Sequence, residues 1–250
     1  MKKDISKRYG LIDTLRGFAL INMVLFHLCY DIFVVYGRDV QWWTYPGVIV
    51  WERYICVSFI MLSGVSLHFS RHAYRRGLII NACGLLITLV TVLVMPEQAV
   101  WFGVLNLIGC AMLLGRLCKP LLDKIPPVIG AAGSLLLFAV FYGVPERYMG
   151  FFNIKLIGVP ELFYRFGYAA FLGFPDAGFR STDYFPLIPW FFMFLLGYFL
   201  WALTARYHGE ELFRKGIRPL SFLGRHSLIV YMLHQPVLMG VCVLLFGAAG

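Results

Sequence analysis

Charge is what this sequence has least of. Asp, Glu, Lys and Arg together make up 14% of its 250 residues, and only 13 residues are acidic. A water-soluble domain needs far more charge to cover its outside, so a soluble enzyme or binding module is excluded. Cysteine occurs six times (Cys29, Cys56, Cys83, Cys110, Cys118 and Cys242) but never as CxxC or at metal-ligand spacing. Most of these lie in apolar runs and read as small hydrophobes, which argues against a disulfide framework or a metal centre. No internal repeat and no low-complexity tract is visible. The basic start, MKKDISKRYG, is followed by no small-residue cleavage site, so the first apolar segment is expected to stay as a span. The net charge of +9 does not gather into one patch; the basic residues sit in short clusters between apolar runs, which speaks against nucleic acid as a partner.

What the chain does contain is hydrophobic length. Apolar residues make up 60% of it, with a mean hydropathy of +0.76. Runs long enough to cross about 30 Å of hydrocarbon recur throughout, near 12–36, 51–70, 77–95, 101–118, 127–144, 186–205 and 222–247, separated by breakers such as Pro46-Gly47, Pro126-Pro127, Pro186 and Pro219. The fold class expected is an all-α polytopic membrane protein of about seven transmembrane helices, with residues 1–250 forming a single transmembrane domain. Placing the N-terminus in the cytoplasm puts Lys2, Lys3, Lys7, Arg8, Arg16, Arg71, Arg75, Arg76, Arg116, Lys119, Lys124, Arg206, Arg214, Lys215, Arg218 and Arg225 inside. These are sixteen of the 22 basic residues, a strong inside bias. The stretch 145–185 is apolar in its middle but short and interrupted by Arg165. A full span there would move the basic 206–218 loop outside, so a short re-entrant or interfacial helix in an external loop is expected. Such a loop serves either as an acceptor-binding lid or simply to close the bundle.

Ionisable groups inside a membrane are costly and mark function. On a helical wheel at about 100° per residue, with Asp13 at 0°, Arg16 falls near −60°, His27 near −40° and Asp31 back near 0°. One narrow face of the first span thus carries all four, and Asn22 points away from it. Arg16 and His27 are roughly 16 Å apart along the axis, which puts Arg16 near the cytoplasmic surface and His27 near mid-bilayer. Asp31, at i+4 from His27, is positioned to hold the imidazole in one tautomer. The plainer alternative is that these groups only pair with one another or with other helices.

The run YGLIDTLRGFALINMVLFHLCYD (9–31) resembles the opening helix of the catalytic domain of heparan-alpha-glucosaminide N-acetyltransferase and its bacterial relatives. It is also similar to the broader acyltransferase-3 superfamily, whose first helix carries an Arg and a His separated by ten residues, as Arg16 and His27 are. FIMLSGVSL (59–67), FGVLNLIG (102–109) and LSFLGRHSLIVYMLHQPVL (220–238) extend the resemblance over nearly the whole chain, most specifically at its two ends. The 145–185 loop matches no family motif, so acceptor identity does not transfer.

The resemblance implies transfer of an acyl group from acetyl-CoA in the cytosol to an amine or hydroxyl of a sugar or amino-sugar acceptor on the far side, in a bacterial cytoplasmic membrane. No metal is implied. The acceptor is free or lipid-linked, membrane lipids surround the chain, and homo-oligomerisation is left open. The residue types suit that chemistry: an imidazole can take the acceptor's proton, and cationic side chains can engage CoA phosphates. The catalytic candidates are His27, Asp31, Arg16, His234 and Asn106. Arg16, Arg71, Arg75, Arg76, Arg116 and Lys119 are the candidates for CoA. His27 acts either as base or as transient acyl carrier. His234, before Gln235-Pro236, either contacts substrate and orients His27 or caps a kink. Asn106 is either an oxyanion donor or an interhelical hydrogen-bonding group. Ser63-Gly64 reads as a close-packing site, and His68, His72, His208 and His226 as surface residues, with His72 near enough to the cytoplasmic end to help bind phosphate. The competing class is a proton-coupled carrier of a small solute using the Asp–His pair as a relay, against which stands the lack of repeated halves.

Overall fold

The computed structural model describes residues 9–152 and 154–247. The basic residues Lys2, Lys3, Lys7 and Arg8 lie outside the described residues. Eight α-helices follow in order: α1 (Gly10–Tyr30), α2 (Pro46–Ser66), α3 (Ala73–Val94), α4 (Val104–Leu122), α5 (Pro127–Phe141), α6 (Leu187–Arg206), α7 (Arg218–Arg225) and α8 (Ser227–Phe246). Among the described residues seven segments are long and apolar enough to cross a membrane, the first running from Gly10 to Val35 and the last from Ser227 to Phe246. The protein is a polytopic helical membrane protein, and each expected span is present within a few residues of its expected ends. α3 shows why these helices need lipid: Leu78, Leu85, Leu89 and Leu93 are all exposed along it, an apolar stripe that only hydrocarbon would cover.

The 145–185 stretch differs from expectation. In place of a single re-entrant or interfacial helix it forms an antiparallel hairpin, β1 (Tyr148–Phe151) with β2 (Ile154–Gly158), and two short 3₁₀ turns, Glu161–Arg165 and Gly167–Leu172. The loop is tied down by its own polar groups. Arg147 pairs with Glu161 at 3.1 Å, the Tyr164 hydroxyl donates to the Val144 carbonyl, and the Asp183 carboxylate accepts from the Val104 amide at 3.1 Å. The last contact supplies the acceptor that α4's first turn needs, from a residue distant in sequence.

Two compact units divide the chain, with the boundary inside α2: residues up to Phe59 join His208 onward, and Ile60–Tyr207 form the other. In the second unit α3 and α4 are antiparallel, with Gly77 against Gly109 and Leu113, and Gly84 against the Asn106 side chain. α2 and α6 approach backbone to backbone, at Gly64 on the Phe194 carbonyl and Gly197 on the Met61 carbonyl. Ser63-Gly64 is thus a packing site, and only residues without a side chain permit such an approach.

In the first unit α7 lies along α1. A Cβ on Gly17 would fall on the Leu220 carbonyl, and one on Gly224 would fall on the Asp13 carbonyl. Thr14 and Ser221 hydroxyls meet at 2.8 Å, Ser221 also donates to the Gly10 carbonyl at 3.0 Å, and the Ile217 amide donates to Thr14 at 2.9 Å. This seam fixes the C-terminal segment on the first span. Beside it Phe26 packs between Trp42 and Trp51, with ring centroids 5.6 and 5.3 Å away. Gly224→Ala is expected to cost about 1–3 kcal/mol by overpacking the crossing. Gly133→Ala, inside α5 where a methyl meets open space, is expected to leave stability unchanged or to raise it by up to about 1 kcal/mol through helix propensity. Thermal unfolding of the two variants in detergent measures the difference.

Candidate active site

The first unit concentrates polar groups where α1 ends. The α-helix gives way at Asp31 to one π-helical turn, Asp31–Val35, a widening that recurs at functional sites. Opposite, α8 carries Pro236 in its interior, which removes one amide from the helical ladder. Between these two irregularities lie His27, Asp31, His234 and Gln235. The His27 and His234 rings stand 4.8 Å apart at 61°. His234 Nδ1 is 2.6 Å from the Tyr231 carbonyl; with Nδ1 donating there, the neutral ring presents Nε2 as an acceptor. Gln235 Nε2 donates to Asp31 Oδ1 at 2.8 Å, and Asp31 is 0% exposed.

Three atoms in this cluster are buried and hold no hydrogen bond: Asp31 Oδ2, His234 Nε2 and Gln235 Oε1. Buried polar atoms are almost always satisfied, so three orphan acceptors in one cluster need an explanation in the chemistry of the site.

Asp31 is expected from sequence to hold His27. In the fold its carboxylate accepts from Gln235, and the ring beside His27 is that of His234. The helix is still regular from His27 to Asp31, whose amide donates to the His27 carbonyl, so the two side chains share a face as the wheel requires; the carboxylate is drawn off His27 by the Gln235 amide on α8. Arg16 pairs with Asp13 at 3.1 Å, and Asp13 is 7% exposed, so the lower part of the stripe is an ion pair within α1. Asn22, off the stripe, accepts from Trp51 Nε1 at 3.0 Å. Gln235 is the residue that sequence reasoning passed over. The signal was present, because an amide in mid-span before a proline is a polar group the membrane does not tolerate unpartnered.

The CoA candidates lie in the second unit. The antiparallel pairing of α3 and α4 brings the start of α3 beside the end of α4, so Arg71, Arg75, Arg76 and Arg116 are exposed at one end of that unit. Lys119 is engaged differently: its Nζ contacts Asp123 Oδ2 at 2.6 Å and the Tyr198 hydroxyl at 3.2 Å, and the Tyr198 hydroxyl also donates to Asp123. His68, read from sequence as a surface residue, stacks on the Tyr198 ring at 4.1 Å and reaches the Tyr198 carbonyl through Nε2 at 2.9 Å. Asn106, 6% exposed, fills the α3–α4 seam against Gly84.

Polar side chains brought together on two interrupted transmembrane helices belong to an integral membrane protein of seven apolar spans among the described residues. The family model described as "Heparan-alpha-glucosaminide N-acetyltransferase, catalytic" matches residues 8–236, and the chain belongs to that family of membrane acetyltransferases. No curated protein and no solved structure matches it.

Asp123 follows the last residue of α4. Partial burial works against its charged form, but the hydrogen bonds from Lys119 and Tyr198 outweigh that and hold the carboxyl below the usual carboxylate range. A depressed carboxyl stabilises the fold above its unfolded pKa and loses that contribution as pH falls through the folded one. Asp123→Asn is therefore expected to lower the unfolding temperature at pH 7. The gap to the parent protein should close as pH is taken below about 4, near the ordinary Asp value. Parallel melts across pH measure it.

Proposed function

We propose that the protein moves an acetyl group from cytosolic acetyl-CoA to an amine or hydroxyl of a sugar-type acceptor on the extracytoplasmic side of a bacterial inner membrane, with its N-terminus inside. The single observation that carries this reading is the His27–His234 ring pair, two imidazoles whose neutral rings offer acceptor nitrogens, with His234 Nε2 buried and without a protein donor. Acetyl transfer needs such acceptors, because the nucleophile must lose a proton as it attacks.

In the direct form of the reaction, His27 takes the N–H or O–H proton as the acceptor's heteroatom bonds to the acetyl carbon. The C–S bond then breaks, and the imidazolium returns the proton to the CoA thiolate. In the two-step form the His27 nitrogen first carries the acetyl group and releases the thiol, and the acceptor then displaces the imidazole. His234, fixed at Nδ1, offers Nε2 to the same proton. Arg71, Arg75, Arg76 and Arg116 supply exposed cationic donors suited to CoA phosphates. Lys119 has its charge met by Asp123 and ranks behind them, as does Arg16 beside Asp13.

Purified protein with radiolabelled acetyl-CoA tests the proposal. Binding should be saturable and weaken on the order of tenfold in Arg76→Ala, as for loss of a charged hydrogen bond. His27→Ala should retain binding and lose turnover by about 10²–10⁴-fold. Full turnover in His27→Ala removes that imidazole from the reaction, and absence of any acetyl-CoA binding favours a carrier.

A further inference from the structure

Asp31 and Gln235 are joined by one hydrogen bond, from Gln235 Nε2 to Asp31 Oδ1, and each keeps one buried oxygen without a donor, Oδ2 on the acid and Oε1 on the amide. Both oxygens are acceptors, so no rotation of either side chain lets them satisfy each other. A single proton does. We propose that Asp31 and Gln235 form an acid–amide pair holding one proton between Asp31 Oδ2 and Gln235 Oε1. The two side chains then face each other head to head, amide N–H to acid carbonyl and acid O–H to amide carbonyl. Gln235 is thereby the positioning residue of the site, and the pair is a proton-binding site in its own right.

The surroundings favour the neutral form. Asp31 is fully buried, and the charged form of a buried carboxyl is tolerated only beside a cation or several donors. Among the described residues Tyr30, Tyr36 and Cys242 are titratable groups near it, and His27 stands one helical turn before it and His234 next to its amide partner Gln235. The nearest cation along the same segment, Arg38, lies over the Phe246 ring, and the Asp31 carboxylate takes its one hydrogen bond from the neutral Gln235 amide. The backbone makes the arrangement possible from both sides. The π turn begins at Asp31, and Pro236 interrupts α8 one residue after Gln235. With the pair satisfied internally, His234 Nε2 is the one orphan left among the three, and it lies beside His27. The pair therefore keeps fixed negative charge out of the centre and leaves imidazole nitrogen as the acceptor for an arriving donor.

The inference rests on the unit formed by α1 and α8 and not on the acetyl-transfer reading, and its test needs no turnover. Infrared difference spectra of the purified protein at neutral pH, parent minus Asp31→Asn, should show a protonated carboxylic-acid carbonyl band that the variant lacks. The same band should be displaced in Gln235→Leu, where its partner is gone. Asp31→Asn keeps both hydrogen bonds as an amide–amide pair, so its unfolding temperature should equal that of the parent, and the spectrum does not depend on Gln235→Leu folding well. If the parent instead shows the stretches of an ionised carboxylate in that difference, or if the acid band is unmoved in a folded Gln235→Leu, the proposal is wrong. A parent protein that shows the band but transfers no acetyl group would count against the functional reading alone.

Discussion

The contact between Gln235 and Asp31 is the constraint on which the first unit is arranged, and its force comes from the solvent. In water an amide and a carboxyl on two helices can each turn outward and lose little. In hydrocarbon neither has that choice, and each unsatisfied group costs several kcal/mol. The side chains must meet, and for them to meet the helices bearing them must depart from regularity. α1 does so by widening into a π turn at Asp31, and α8 by carrying Pro236 just past Gln235. The seam of α1 with α7 holds the partners in register, because Gly17 and Gly224 let backbone approach backbone while Thr14 and Ser221 close the polar gaps. Side-chain chemistry at one end of α1 thus depends on small residues at the other.

Much of this was legible in the sequence because the membrane simplifies the reading. Seven spans follow from apolar length and breakers alone, and they are found where expected. The stripe of Asp13, Arg16, His27 and Asp31 was equally readable, since a wheel needs only a regular helix, and the lower part of α1 is one. The wheel holds as far as Asp31, whose amide still bonds to the His27 carbonyl, but it says nothing of other helices, and the expected His27–Asp31 contact gives way to one with Gln235. No periodicity reports a partner more than two hundred residues away. His68 illustrates the same limit: its place near a helix end reads as surface, yet its ring lies flat on Tyr198 from a helix it does not neighbour in sequence. The hairpin at Tyr148–Gly158 was hidden for another reason. Its exposed strand IKLIG is as apolar as any short helix, and composition does not distinguish the two.

The division of the chain bears on how the proposed chemistry is distributed. The first unit joins the N-terminal and C-terminal segments, the same two stretches in which the resemblance to the acetyltransferase family is most specific. The imidazoles, Asp31 and Gln235 all belong to it. The second unit holds the exposed arginines at one end, where α3 begins and α4 ends, together with the network of Lys119, Asp123, Tyr198 and His68. Within that network the positive charge of Lys119 is answered by Asp123, so on the proposed reading the exposed arginines are the better partners for a polyanionic donor. On the proposed reading, proton chemistry and donor recognition thus fall to different parts of the chain. A substitution among the arginines should then act on donor affinity and one near His27 on turnover, because the first removes charge from an exposed surface and the second removes an acceptor from a dry interior. Topology alone would place basic residues at these helix ends; on the proposed reading the same exposed charges also serve the donor, while the buried acid is answered by its amide.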